Sequence, residues 1–213
     1  GRDARKIARG VVDGGIGMND SDGRCDYWNP SECTGTAFCP PRCPRFVDGD
    51  ETPLLVRRYE ESEFDAVVRM YEDLDPANRT MGLPPANRDR LEQWLTRLTE
   101  NGWNLVAVDG DRVVGHVGVV PATTEDPQFV IFVHDDYQNR GVGSELIKHL
   151  IASAADRGHE TLQLDVEKEN RRAISVYRNV DFEVTERKGM GLSMELSLDA
   201  AIAEAVQRPP AER

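Results

Sequence analysis

The chain has 213 residues, enough for one ordinary domain with a modest attachment and too few for two large ones. Acidic residues outnumber basic ones by 38 to 26, the formal net charge is −12 and the pI is near 4.8, which argues against nucleic acid or an anionic membrane as the main partner. No apolar run approaches the ~18 residues that cross a bilayer, and no apolar stretch follows the amino terminus, so the expected location is the cytoplasm. Only 4 of the 26 basic residues are lysine. Many acids with few lysines suggest a salt-adapted organism such as a halophilic archaeon, although a GC-rich genome alone could give the arginine bias. Full folding stability in dilute buffer would count against salt adaptation.

Residues 1–17 are mildly basic, and Met18 follows them; they read as tag residue, an over-called start or a loose arm. Cys25, Cys33, Cys39 and Cys43 come next, with seven, five and three residues between them. Four thiolates around one tetrahedral zinc would organise a segment too poor in apolar residues to fold alone, with Trp28 and Phe38 packed on it. No Cys-x-x-Cys knuckle is present, and two disulfides or four reduced thiols in a flexible tail are the alternatives. Asp48 to Pro53 reads as a polar linker. It separates an extension, 1–50, from a main domain, 51–199, with a short helix and tail over 200–213.

Periodic apolar patterning begins after Pro53. Leu54 to Tyr59 predicts a strand, and Phe64, Val67, Val68, Tyr71 and Leu74 predict a helix with Ser62 as its cap. Leu91, Trp94, Leu95 and Leu98 predict a second helix, stopped by Gly102. Two strands, Leu105 to Val108 and Val113 to Val120, flank the hairpin signal Asp109-Gly110-Asp111. Phe129 to Val133 is a continuous apolar run, as expected of a buried central strand. Val142, Leu146, Ile147, Leu150, Ile151 and Ala154 form a helical stripe that ends at Gly158. A strand over 161–166, a helix capped by Asn170, strands over 182–187 and 192–198 and a terminal helix over 199–207 complete the pattern. The order suits a mixed α+β (α/β) fold with a partly antiparallel sheet.

The chemistry concentrates between the 129–133 strand and the helix after it, in Gln138-Asn139-Arg140-Gly141-Val142-Gly143-Ser144. Two glycines at a strand-to-helix turn leave the backbone amides of 139–144 free to face a ligand. A helix start carries unpaired N–H groups and the positive end of the dipole, so it suits a phosphate. Arg140 and Ser144 would add donors. The segment is neither a Walker A loop nor a dinucleotide fingerprint.

This Gln-x-x-Gly-x-Gly segment resembles motif A of the GNAT acetyltransferase superfamily. Asn170, Ala173, Tyr177 and Phe182 resemble the spacing of its second conserved segment, and the likeness covers 54–198. Within the superfamily, Leu74-Asp75-Pro76-Ala77-Asn78-Arg79 and Gln128 to Val133 look similar to bacterial and archaeal protein lysine acetyltransferases. The resemblance implies a mostly antiparallel sheet flanked by helices and splayed between 129–133 and 161–166. It implies acetyl-CoA as cosubstrate, with the pantetheine along Ile131, Phe132 and Val133. The pyrophosphate would lie on Gln138, Asn139, Arg140, Gly141, Val142, Gly143 and Ser144, with Asn170, Ala173 and Tyr177 beside the arm. The partner would be an amine, a protein lysine or a small amine, and a homodimer is left open.

Tyr177 is the expected general acid, because direct attack of an amine on a thioester must end with a proton for the departing sulfur. The general base is open. Proteins of this type often carry Glu where Gln128 stands, and an amide cannot take the proton. Glu125, Asp126 and His116 are candidates, and a water relay is another. His134 and His149 read as surface residues beside acids. Asp181 replaces a glycine usual before Phe182, which would alter only a turn. Tyr71, Met81 and Trp103 are expected near the acceptor.

Overall fold

Side chains that alternate along a strand face opposite sides of a sheet. Leu105 and Ala107 belong to one buried cluster, whereas Val106 and Val108 belong to another. A strand buried on both faces needs helices on both. The computed structural model, which describes residues 32–36, 39–78 and 83–213, has that architecture. One eight-stranded sheet lies between two helical layers, as the α+β GNAT-like fold requires.

The strands are β1 (Arg45–Val47), β2 (Pro53–Arg58), β3 (Trp103–Asp109), β4 (Arg112–Val120), β5 (Gln128–Val133), β6 (Thr161–Glu167), β7 (Glu183–Lys188) and β8 (Gly191–Ser197). The helices are α1 (Phe64–Glu72), α2 (Arg88–Asn101), α3 (Val142–Asp156), α4 (Arg171–Arg178) and α5 (Ala200–Gln207). The sheet order is β1-β2-β3-β4-β5-β6-β8-β7, and every pair is antiparallel except β5–β6. Helices α1 and α2 cover one face, and α3 and α4 cover the other.

Two local expectations change, and a third gains its physical reason. Asp48 to Thr52 is a hairpin turn rather than a linker, because Arg45–Val47 pairs with Pro53–Leu55 as an added edge strand. Asp48 closes that turn by accepting from the Asp50 and Thr52 amides at 3.0 and 2.9 Å. The extension therefore joins the sheet before residue 48. Ser62 does not cap the first helix. A turn of 3-10 helix over Glu61–Glu63 precedes α1, and Glu60 with Glu63 forms a capping box there. Asp181 takes a left-handed backbone, φ 65°, which explains why glycine suits that position; Asp tolerates it better than most residues.

Arg42 and α5 are tied to α3. Arg42, 5% exposed, donates to both carboxylate oxygens of Glu145 at 2.7 and 3.1 Å and to the Val206 carbonyl at 2.6 Å. Burial pushes the Glu145 carboxyl up, but His149 and Arg42 together bring it well below the usual range. His149 is thus buried rather than at the surface, 3.5 Å from Glu145, and burial lowers its pKa. His134 is buried too, between Arg112 and the Asp136 amide.

The expected zinc site finds no support. Cys25, Trp28 and Phe38 lie outside the described residues. Among the described residues no three His, Cys, Asp or Glu side chains converge on a metal position, so Cys33, Cys39 and Cys43 do not form one.

Candidate active site

Strand β5 pairs with β4 along its whole length but meets β6 at a single register position, Gln128 opposite Gln163. Beyond that point the two strands part, and a cleft of about 850 Å³ opens between them. The apolar run of β5 is central in the sheet yet only Phe129 in it is buried. Val130 to Val133 are half-exposed because they line the cleft.

One end of the cleft is built from backbone. Gly141, at φ 88°, turns the chain into α3 and offers no side chain to cap it. The first intrahelical bond comes from the Glu145 amide to the Gly141 carbonyl, 3.0 Å. The amides of 142–144 therefore precede the helical ladder and want an acceptor. Asn139, Gly141, Gly143 and Ser144 line the cleft at this end. An anion placed there meets unpaired N–H groups and the positive end of a 15-residue helix.

Arg140 does not face the cleft. Its guanidinium donates to Asp48 at 2.7 Å, to Thr52 Oγ1 at 2.7 Å and to the Asp136 carbonyl at 3.1 Å, and lies 4.6 Å from the Tyr137 ring centroid. The Gly49 amide also donates to the Arg140 carbonyl at 2.8 Å. The arginine expected to bind phosphate instead bolts the loop to the β1–β2 turn. Val142 is buried beneath the loop and does not line the cleft either. The cation that does line it is Arg172, in the first turn of α4, 3.4 Å from Gln138 Oε1. Gln138 in turn donates to the Val133 carbonyl at 3.1 Å. Asp135 accepts from the Asp75 amide at 2.6 Å and from Asn78 Nδ2, which ties the Asp75–Asn78 segment across the cleft.

The other end is built from side chains. Asn170 caps α4 by accepting from the Ala173 amide at 3.1 Å, and this helix carries Tyr177. The Tyr177 ring packs edge-on to Phe129 and against Phe182, and the residue is 8% exposed. It lines the cleft, yet no group hydrogen-bonds its hydroxyl among the described residues. Burial raises its pKa, so the phenol keeps its proton at neutral pH. Strand β6 and the turn after it bring three carboxylates to the same cleft, Asp165 and Glu167 from the strand and Glu169 from the turn. Leu164 and Val166 face the α3 layer, so Asp165 between them faces the opposite side of the sheet. Ser193, its cross-strand neighbour, donates to Asp165 at 2.6 Å.

The sequence profile of the acetyltransferase (GNAT) family matches residues 67–182, which hold both ends of this cleft. The chain belongs to the GNAT family. The ribosomal protein bS18-alanine N-acetyltransferase of Salmonella typhimurium is 36% identical over 86 residues, 40% of this chain and 58% of that one. The Escherichia coli counterpart is 43% identical over 61 residues, 28% and 41% of the two chains. The chain thus spans about half the length of the curated relatives it matches. The GNAT domain of a Streptomyces lividans protein, PAT, superposes with a TM-score of 0.62 at 20% identity, over 72% of this chain and 95% of that one. An acetyltransferase from Salmonella typhimurium, solved with its cofactor acetyl-CoA, has a TM-score of 0.58 at 19% identity, over 68% and 94%. Such identities show a shared fold.

Within this GNAT fold, Ile131, Phe132, Val133, Gln138, Asn139, Gly141, Gly143, Ser144, Asn170, Ala173 and Tyr177 line one cleft. His116 does not. It is fully buried under α1, accepting at Nδ1 from Tyr71 Oη, 2.6 Å, and donating from Nε2 to Asn104 Oδ1, 3.1 Å. Burial lowers its pKa to about 3. A neutral imidazole with both nitrogens engaged has no site for an incoming proton, so His116 is a core residue. Tyr71 is buried with it. Trp103 bonds His159 at 3.0 Å and is absent from the cleft wall. Met81 lies outside the described residues. Glu125 is exposed in the β4–β5 loop, where its carbonyl accepts from Glu160 and Thr161, and it does not line the cleft. Asp126 is exposed there too and is likewise absent from the wall. Leu74, Ala77, Asn78, Leu83, Trp94 and Leu98 form the far wall instead. Sequence reasoning missed Asp165. Its signal was an acid between two buried positions of a strand, Leu164 and Val166.

Proposed function

We propose that the chain is an acetyl-CoA-dependent N-acetyltransferase acting on an amine. The observation that carries this reading is the continuity of the cleft. An uncapped helix start, suited to a pyrophosphate, lies at one end, and a protonated tyrosine with an unpaired hydroxyl lies at the other. The groups present fit acetyl-CoA: amides at 142–144, Arg172 beside them, and the unpaired edge of β5 where it leaves β6. Bound acetyl-CoA supplies a thioester carbon open to attack.

The chain's own groups do the rest. An amine arrives as an ammonium, drawn by Asp165, Glu167 and Glu169. Asp165, oriented by Ser193, accepts its proton directly or through water. The neutral amine attacks the thioester carbon, the C–S bond breaks with the Tyr177 hydroxyl giving its proton to the departing sulfur, and the proton shed by the new amide nitrogen returns Tyr177 to the phenol. Proton transfer by a placed side chain contributes on the order of 10²- to 10⁴-fold. Asp165 supplies the carboxylate that Gln128 lacks, which favours turnover over the alternative that the glutamine raises, a non-catalytic protein that binds acetyl-CoA as a sensor. A protein lysine, a protein α-amine (the acceptor class named in the ribosomal relatives) and a small amine all carry the required nitrogen. Thiol release should be followed with a lysine peptide, an alanine-ended peptide and a polyamine. Release with one of them above the hydrolysis rate is expected; acetyl-CoA binding without release from any would replace the enzyme by a sensor.

A further inference from the structure

Helix α4 has a second face. Arg171, Ile174, Ser175 and Arg178 recur at the spacing of one helical stripe, and they line a separate cavity of 560 Å³ behind the helix. Lys168, Asn179, Arg187 and Leu192 complete it. Arg187 and Leu192 are cross-strand partners on the β7–β8 hairpin, and Lys168 is held there by the Gly189 carbonyl. The cleft with Tyr177 lies on the other side of α4, lined by Asn170, Arg172, Ala173 and Val176.

The charge of this cavity opposes that of the chain. Four cations line it and no carboxylate does, in a protein of net charge −12. Four arginines elsewhere are each paired with a carboxylate, Arg42 with Glu145, Arg57 with Glu63, Arg88 with Glu72 and Arg140 with Asp48. Arg171, Arg178 and Arg187 have no ion-pair partner among the described residues. Acids are plentiful, so their exclusion from one concave place is a feature of that place. Like charges held together repel, and an anion between them removes the repulsion.

We propose that this cavity binds a small phosphorylated organic anion with at least two negative charges. Guanidinium forks match phosphate oxygens in pairs, which favours phosphate over a single carboxylate. Ser175 and Asn179 add neutral donors. Ile174 and Leu192, both buried, give an apolar floor for the organic part. The volume lies in the range of small-ligand sites, about 300–1,000 Å³. An occupant would touch the helix that positions Tyr177 without entering the acetyl-transfer cleft.

The test is an amide-resolved NMR titration of the full chain with saturating CoA, using pyrophosphate, fructose 1,6-bisphosphate and plain fructose as probes. Saturable shifts are expected at residues 168–179 and 187–192, tightest with the bisphosphate and absent with fructose. The double variant Arg178→Gln/Arg187→Gln should weaken the bisphosphate at least tenfold. Its melting temperature and CoA affinity should not change. Shifts confined to 139–144, shifts that never saturate, or full affinity in the double variant would each overturn the site. Equal affinity for pyrophosphate and the bisphosphate would overturn its organic ligand. Failure of CoA to bind is seen separately, at 139–144, and tests the transferase reading alone.

Discussion

The two ends of the transferase cleft are made of different material. The phosphate end is made of amides, placed within seven consecutive residues by a left-handed Gly141 and an uncapped helix, with the Arg172 side chain of α4 added to them. The transfer end is made of side chains from α4 and β6, aligned only when β6 pairs with β8 and α4 packs on Phe129 and Phe182. Backbone sites tolerate most side-chain changes but depend on conformation. Side-chain sites depend on single atoms. The two ends should therefore fail in different ways when altered.

The sharpest contrast is expected at Tyr177. Tyr177→Phe removes one oxygen from a ring that keeps its packing, so kcat should fall by about 10²-fold or more while CoA affinity stays within twofold. Asp165→Asn should fall comparably at neutral pH and recover part of the loss as pH rises, because a free amine then needs no base. Steady-state kinetics with calorimetric CoA binding measures both. Unchanged turnover in Tyr177→Phe would remove the tyrosine from the mechanism.

The opposite split belongs to Gly141. A Cβ there would meet nothing within 4 Å, so Gly141→Ala introduces no clash and tests conformation alone. A left-handed alanine costs about 1–2 kcal/mol, near a tenfold loss in affinity if the loop relaxes to avoid it. CoA should bind about tenfold more weakly with kcat at saturation unchanged. A drop in kcat instead would mean that the loop also positions the reacting carbon.

This difference in material explains what was legible in the sequence. The phosphate end was readable because seven adjacent residues state a turn and a helix start. The order of strands and helices was readable from periodicity for the same local reason. Arg140 misled because a cation beside a phosphate loop looks like a ligand until Asp48, 92 residues away in sequence, is seen to hold it. His116 misled because an imidazole on a strand beside the site carries no sign of which sheet face it occupies; Tyr71 of α1 and Asn104 of β3 claim it. Asp165 escaped notice because the splay that exposes it is a property of two strands and not of either one. The acceptor wall draws on Leu74, Leu83 and Trp94 from α2 and its approach, and no local pattern joins them.

A smaller effect is expected where the extension braces the phosphate end. Asp48 is held below the usual carboxylate range: burial pushes it up, but the Thr52 and Asp50 amides and Arg140 outweigh that. Asp48→Asn keeps the shape and removes the charge that fixes Arg140. CoA affinity should drop about threefold, a few tenths to one kcal/mol by the usual conversion, with kcat unchanged. Rescue by Asp48→Glu is not expected, because the longer side chain cannot close the same turn.

The smallest effect on the cleft should come from His116, and its signature lies in stability. In the fold its pKa is about 3, whereas an unfolded histidine titrates near 6.5. Between those values the unfolded chain takes up a proton that the folded one refuses, so acid favours unfolding. Stability should therefore rise with pH across the window from about 3 to about 6.5, by up to ~1.4 kcal/mol per pH unit from this residue, and level off above it. His149, lowered by burial, adds to the same slope, and Glu145, whose carboxyl is depressed, loses stabilisation as pH falls through its own lower range. His116→Gln should flatten the denaturant-midpoint slope over pH 4–6 while leaving kcat at pH 8 within about threefold of the parent. A large loss of kcat with the slope intact would return His116 to the chemistry, and would mean that the cleft draws on the sheet face under α1 as well as on the splay.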